Sequence, residues 1–242
     1  KIISIAKKRK VLTAIDNTWA TPYFFKPMKL GFDMSIVSAT KYYSGHSDVM
    51  GGSLAVNKKV FKHVEKTQKI IGLRLGPDDA YLITRGLRTL DVRLDKHQEN
   101  AKKVAAFLSK NKKVKLLYPY LKGSLNYKLW KKYYSGASGL MGLKIKTKNK
   151  KSVIKFVNSL KLFGYGYSWG GFESLALHQE FRETGNRRYI TPNSNPFTVI
   201  KKLTNEAVSK KSSLSNGRYA CMVVIPHSYF PLLAFKLPFM IS

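Results

Sequence analysis

The sequence predicts an α/β fold in two pieces joined by helix, and three observations carry that prediction. Short apolar runs at 11–15, 34–37 and 52–56 stand between turn residues, as buried strands do. From Pro77-Asp78-Asp79 the spacing becomes helical, with apolar residues at Tyr81, Leu82, Leu87, Leu90, Val92, Leu94, Ala101, Val104, Ala105 and Leu108. The proline and the two acids suit a first helical turn. Strand-like runs return at 114–118 and 140–145, before an amphipathic stretch at 152–162 that carries Val153, Ile154, Phe156, Val157 and Leu160 on one side.

These patterns divide the chain. Residues 1–77 read as the last strands of a larger sheet, 78–110 as a long or kinked connecting helical region, and 111–178 as a small α/β domain. Prolines, asparagines and serines interrupt every apolar run after that, so 179–242 reads as a divergent, poorly ordered tail. Residues 219–241 are apolar enough to raise a membrane span, but Pro226, Pro231 and Pro238 argue against one.

With 242 residues and 44% hydrophobic content the chain can bury a substantial core. Its single cysteine, Cys221, excludes an intrachain disulfide framework and fits a reducing compartment, hence a cytoplasmic location. The first residue is Lys1, which suggests that the chain begins inside a longer fold. The net charge of +31, from 44 basic against 13 acidic residues, raises nucleic-acid binding. The lysines, however, are spread through every segment without a zinc-finger, helix-turn-helix or single-strand-binding signature. Nonspecific attraction to polyanions is expected; specific nucleic-acid recognition is not.

The chemistry concentrates at Ser38-Ala39-Thr40-Lys41-Tyr42, followed by Gly45-His46-Ser47-Asp48 and Gly51-Gly52. An apolar approach and a glycine-rich exit would desolvate the Lys41 amine and make it a nucleophile near neutral pH. Asp16, at the end of the 11–15 run, heads Asp16-Asn17-Thr18. A lysine to condense with an aldehyde, hydroxyls for a phosphate and an aspartate for a pyridine nitrogen are what pyridoxal phosphate requires. Lys41 also has a plainer reading as one surface lysine among many, which its neighbours weigh against; Asp16 alone reads better as a turn residue, and together with Lys41 as a functional one. No metal is implied.

Three segments, Asp16-Asn17-Thr18-Trp19-Ala20-Thr21-Pro22, the Ser38 to Asp48 stretch and Thr84-Arg85-Gly86-Leu87-Arg88-Thr89-Leu90, resemble the Cys/Met-metabolism (transsulfuration) family of pyridoxal phosphate enzymes. Tyr167-Ser168-Trp169-Gly170-Gly171-Phe172-Glu173-Ser174 narrows the resemblance to the cystathionine β-lyase branch. The resemblance, dense over residues 11–177, implies a fold type I (aspartate-aminotransferase-like) architecture and a homo-oligomer acting on an amino-acid thioether. Lys41 matches the lysine that binds the cofactor and later shuttles protons. Asp16 matches the partner of the pyridinium nitrogen, and Ser38 and Thr40 match phosphate-binding hydroxyls. Ser168 falls where the family contacts the substrate carboxylate. Trp169 falls where a β-lyase shapes its pocket, a position an ordinary buried aromatic would fill as well. The implied reaction is β-elimination of cystathionine, with γ-lyase or γ-synthase chemistry, or a noncatalytic basic remnant, as alternatives. The resemblance also leads one to expect that a long N-terminal segment of the family fold is missing. After Leu177 the family pattern is lost, and Arg187 and Arg188 stand in no matching context.

Overall fold

The computed structural model describes residues 2–124, 126–147, 149–180 and 219–224. It is α/β, with a three-stranded sheet, a helical connection and a five-stranded sheet. After a short helix α1 (Ile2–Lys8), strand β1 (Ala14–Asp16) runs parallel to β2 (Met34–Ser38), with Asp16 level with Ile36. Between them lie two single-turn helices, α2 (Thr21–Phe24) and α3 (Pro27–Leu30). Strand β3 (Gly52–Val56) pairs antiparallel with the other side of β2. Asp33 ties the start of this sheet: its carboxylate accepts from the Thr13 amide and hydroxyl, each at 2.8 Å, and from Asn57 Nδ2 at 2.8 Å. Asn57 in turn caps α4 (Lys58–Ile71), its Oδ1 accepting from the Lys59 and Val60 amides.

The three apolar runs do form strands, but only β2 is covered as expected: Ser35 and Val37 are buried, whereas Val11 and Leu12 before β1 and residues 52–55 of β3 are exposed. β1 and β3 each pair only with β2 among the described residues, and residues 52–55 of β3 stay exposed. Apolar runs select extended backbone, but a second layer is needed to bury them.

The connecting region is two helices, α5 (Pro77–Leu87) and α6 (Leu90–Leu108). On α6, residues 93 and 94, then 97, 100 and 101, 104 and 105, and 108 are buried, one face at helical spacing. Its second half covers the five-stranded sheet, which contains β4 (Val114–Leu117), β5 (Leu140–Ile145), β6 (Gly164–Tyr165), β7 (Leu175–Glu180) and β8 (Tyr219–Val224) in the order β4-β5-β8-β7-β6. Helix α7 (Tyr127–Tyr133) lies between β4 and β5, and α8 (Lys150–Asn158) follows β5. Ala101, Val104, Ala105, Leu108, Tyr118, Met141, Leu143, Ile145, Val153 and Val157 make one core.

Two stretches correct the reading of 179–242 as a poorly ordered tail: residues 179–180 end β7, and β8 lies wholly within it. Residues 219–224 pair antiparallel with β5 on one side and β7 on the other, in mid-sheet. Pro226 falls beyond the strand, so it removes no ladder hydrogen bond from it. The remainder of that expectation, including Arg187 and Arg188, lies outside the described residues. No described helix is long and apolar enough to cross a membrane.

Candidate active site

β2 ends at Ser38 and runs directly into a π-helical turn, Ala39–Tyr43, in which Lys41 departs from helical geometry with φ −90° and ψ −115°. Both flanks of the turn are tied down. The Ala39 amide donates to Gly51 O at 2.9 Å, and the Gly51 amide donates back to Thr40 Oγ1 at 3.0 Å. At the far end, the Ser44 amide donates to Ala39 O and the Gly45 amide to Lys41 O, each at 2.9 Å. Gly45, at φ +74°, turns the chain away; a Cβ there would lie 2.1 Å from Arg93 Nη1.

The Lys41 ammonium donates to Ser168 Oγ at 2.7 Å and lies 4.5 Å from the centre of the Trp169 ring. Both partners sit in the loop between β6 and β7, so the second sheet delivers them to the end of the first. Gly170 makes this docking possible: at φ +90°, a Cβ would come within 2.8 Å of the Lys41 carbonyl carbon and 2.9 Å of the Tyr42 nitrogen. A second link runs from Ser47 Oγ to Glu173 Oε2 at 2.9 Å. Burial in this slot lowers the Lys41 pKa from its ordinary 10.5, because desolvation disfavours the ammonium.

Beneath the turn, Tyr42 packs with Ala20, Phe24, Phe25 and Leu94, and Trp169 rests on the same cluster. Burial pushes the Tyr42 hydroxyl up to about 12, so it stays a neutral packing residue. Trp169 therefore combines the two roles left open by the sequence: it is a packed aromatic and it faces the lysine. Its Nε1 is buried with no hydrogen-bond partner among the described residues.

The other three predicted residues sit nearby in different states. Asp16 is exposed at the end of β1, on the same sheet edge as Ser38, and its Oδ1 accepts from the Thr18 amide at 2.9 Å. Ser38 closes β2, and its amide donates to Thr18 Oγ1 at 2.8 Å. The Thr40 hydroxyl is engaged with the Gly51 backbone, accepting at 3.0 Å and donating weakly at 3.4 Å. Lys41, Ser168 and Trp169 are thus in contact, Asp16 and Ser38 share their edge, and Thr40 is turned towards the loop before β3.

Sequence reasoning missed Arg93, Thr18 and the Ser47–Glu173 link. Arg93 carried a weak signal, a charged residue falling on the face of α6 defined by Leu94, Ala101 and Leu108. The Ser47–Glu173 link spans 126 residues and has no local pattern.

A family model described as Cys/Met metabolism PLP-dependent enzyme matches residues 1–189. The chain belongs to that family. Among curated relatives, a cystathionine beta-lyase from Escherichia coli is 41% identical over 165 residues, 67% of this chain and 42% of that protein. An L-alanine/L-glutamate racemase of Wolbachia pipientis is 40% identical over 178 residues, 73% of this chain and 44% of the racemase. A putative cystathionine beta-lyase of Rhizobium johnstonii is 35% identical over 228 residues, 92% of this chain and 57% of the relative. That last match runs well past residue 178, so likeness to the family does not end at Leu177. Among solved structures, a cystathionine gamma synthase from Xanthomonas oryzae pv. oryzae superposes with a TM-score of 0.75 at 31% identity, over 94% of this chain and 54% of the synthase. The fold is therefore that of the fold type I members of this Cys/Met-metabolism family. The chain spans about half the length of the curated relatives it matches.

Proposed function

We propose that this chain carries the lysine-bearing part of a pyridoxal 5'-phosphate site that performs β-elimination on an amino-acid thioether, releasing homocysteine, pyruvate and ammonia from cystathionine. The observation that carries the reading is the Lys41 amine, desolvated, hydrogen-bonded to Ser168 and covered by Trp169 at the end of the strand pair that also bears Asp16.

The residues present fit the cofactor. A half-buried amine of lowered basicity suits condensation with an aldehyde, and the buried, unpartnered Trp169 Nε1 beside it is a donor awaiting an acceptor. Lys41 would bind the cofactor, Asp16 would hold a proton on its ring nitrogen through a charge-assisted bond, and Ser38 would donate to its phosphate. Thr40 could join Ser38 by giving up its long donation to Gly51 O. When bound, the cofactor supplies the electron sink for a carbanion at the substrate Cα.

The remaining steps belong to the protein. Lys41, whose charged form is disfavoured by desolvation, takes the proton from Cα when unprotonated, and positioned proton transfer of this kind contributes roughly 10²–10⁴-fold. Ser168 holds the amine in line while it is not joined to the cofactor. Trp169 excludes water from the amine and walls the pocket in which the sulfur-bearing side chain lies. Departure of the β-thiolate, with its proton returned by Lys41, completes the elimination, and the released aminoacrylate takes up water as its imine to give pyruvate and ammonia.

A second reading is reprotonation of the same carbon without loss of the β substituent, that is, racemisation. The 40% identity to a racemase favours it, because both reactions begin with the same proton at the same amine. The γ-elimination and γ-replacement reactions need a further proton transfer at Cβ. A homo-oligomer in the cytoplasm is the assembly and location that accompany the main reading. As the chain spans about half of its relatives, the turnover expected of it alone is weak.

The test reconstitutes the 242-residue chain with pyridoxal phosphate, traps the cofactor by borohydride reduction and maps the labelled peptide, then follows pyruvate release from cystathionine. Label on Lys41 and pyruvate that disappears in Lys41→Ala support elimination. Label on Lys41 with D-alanine formed from L-alanine, and no pyruvate, replaces it with racemisation. Cofactor reduced onto many lysines with no preference for Lys41 overturns both.

A further inference from the structure

Arg93 is buried to 5% exposure on the inner face of α6, more completely than Lys41, and it belongs to none of the described ion pairs, although Asp91 on the same helix favours its charge. Instead its guanidinium is spent on neutral oxygens. Nη1 donates to Tyr42 O at 2.8 Å, Nη2 to Gly86 O at 2.7 Å and to Tyr43 O at 3.3 Å, and Nε to Thr89 Oγ1 at 3.0 Å. Burying a guanidinium with only neutral oxygens as hydrogen-bond acceptors is costly, and the arrangement calls for a reason beyond packing.

The carbonyls it takes identify that reason. Tyr42 and Tyr43 are the two residues directly after Lys41, where the backbone has just left helical geometry. The peptide planes before Lys41 are pinned by Gly51, and those after it by Arg93. The space around the guanidinium is closed: a Cβ on Gly45 would meet Nη1 at 2.1 Å, and one on Gly86 would meet Tyr43 O at 2.3 Å. The planar fork of arginine reaches all four acceptors at once, and a lysine ammonium cannot.

We propose that Arg93 is a positioning residue for Lys41, locking the turn so that the amine stays seated between Ser168 and Trp169. This deepens the functional reading, on which it rests for the identity of Lys41 as the reactive amine. Arg93 touches neither substrate nor cofactor; it acts through the two carbonyls.

The experiment uses the full chain without cofactor and reads Lys41 directly. Pulse acetylation across a pH series, resolved by peptide mass spectrometry, gives the proton-dissociation midpoint of Lys41 beside that of the exposed Lys62. Two variants keep the buried positive charge while loosening the fork: Arg93→Lys, and Thr89→Val, which removes only the acceptor of Nε. In both, the Lys41 proton affinity should rise roughly threefold or more as the amine leaves its partly desolvated seat, with Lys62 unchanged. Arg93→Lys should show the larger rise. A purely structural role predicts lower melting temperatures with the Lys41 midpoint unmoved, and that result in the folded variants overturns the proposal; if Arg93→Lys does not fold, Thr89→Val decides alone. Borohydride mapping of the unmodified chain tests the cofactor reading separately, because the acetylation profile needs no cofactor.

Discussion

In the five-stranded sheet, Met141, Leu143 and Ile145 of β5 are covered almost completely while their neighbours face outward. In the three-stranded sheet, residues 52–55 of β3 are all exposed. Both strands come from short apolar runs of the sequence. The difference lies in what covers them: α6 and α8 lay Ala101, Val104, Ala105, Leu108, Val153 and Val157 over the first, and the described chain sets no comparable layer on the second. The lysine turn belongs to the thinly covered sheet, and the loop that seats its amine belongs to the well-covered one. Reactive geometry and global stability should therefore respond to different substitutions.

The strongest way to break that comparison is Leu143→Ala. Leu143 is 2% exposed in the shared core, and truncation should cost about 2–5 kcal/mol, read as a drop in the urea midpoint. A cost near zero would mean that the second sheet is not the stabilising unit. Tyr118→Phe should cost less, about 1–3 kcal/mol, because it strands Ser138 O, which accepts from the Tyr118 hydroxyl at 2.8 Å in the interior.

Asp33 sharpens the comparison from the other sheet through pH. The Thr13 amide bond, then the Thr13 hydroxyl and Asn57, hold its pKa below the ordinary 3.8. A depressed carboxylate contributes stability that is present above its unfolded value and lost as pH falls through the folded one. Asp33→Asn should therefore lower stability near neutral pH. The gap to the unmodified chain should shrink below about pH 3.8, visible in melting curves across an acid series. A gap independent of pH would assign the loss to packing instead. The smallest effect expected is Leu54→Ala on β3: at 45% exposure it should stay within about 0.5 kcal/mol.

Much of this was legible in the residues. The 34–37 and 140–145 runs became β2 and β5, and the helical spacing after Pro77 became α5 and α6. The break between those helices was not placed, because Thr84 to Leu90 keeps apolar residues at helical spacing across it. Helix α4 went unread even though Asn57 is an N-cap and Gly72, at φ +66°, a left-handed C-terminal stop. Its interior is so rich in lysine that the apolar stripe is thin. β8 is hidden in the sequence because Pro226, Pro231 and Pro238 follow closely on 219–224 and mask the strand-like run before them.

The sequence by itself determined the local chemistry: a lysine between hydroxyls after one apolar run, a carboxylate at the end of another, and glycines where the turn must open. Those features repeat within a few residues, the range over which helix and strand periodicity operates. Only the tertiary structure decided that Ser168, 127 residues from Lys41, accepts its hydrogen bond, that Thr40 faces Gly51, and that β8 fills the middle of a sheet. It also decided that Arg93 spends its charge on the carbonyls behind the lysine. Such contacts depend on how distant segments are brought together by burial and pairing, and no spacing along the chain encodes that.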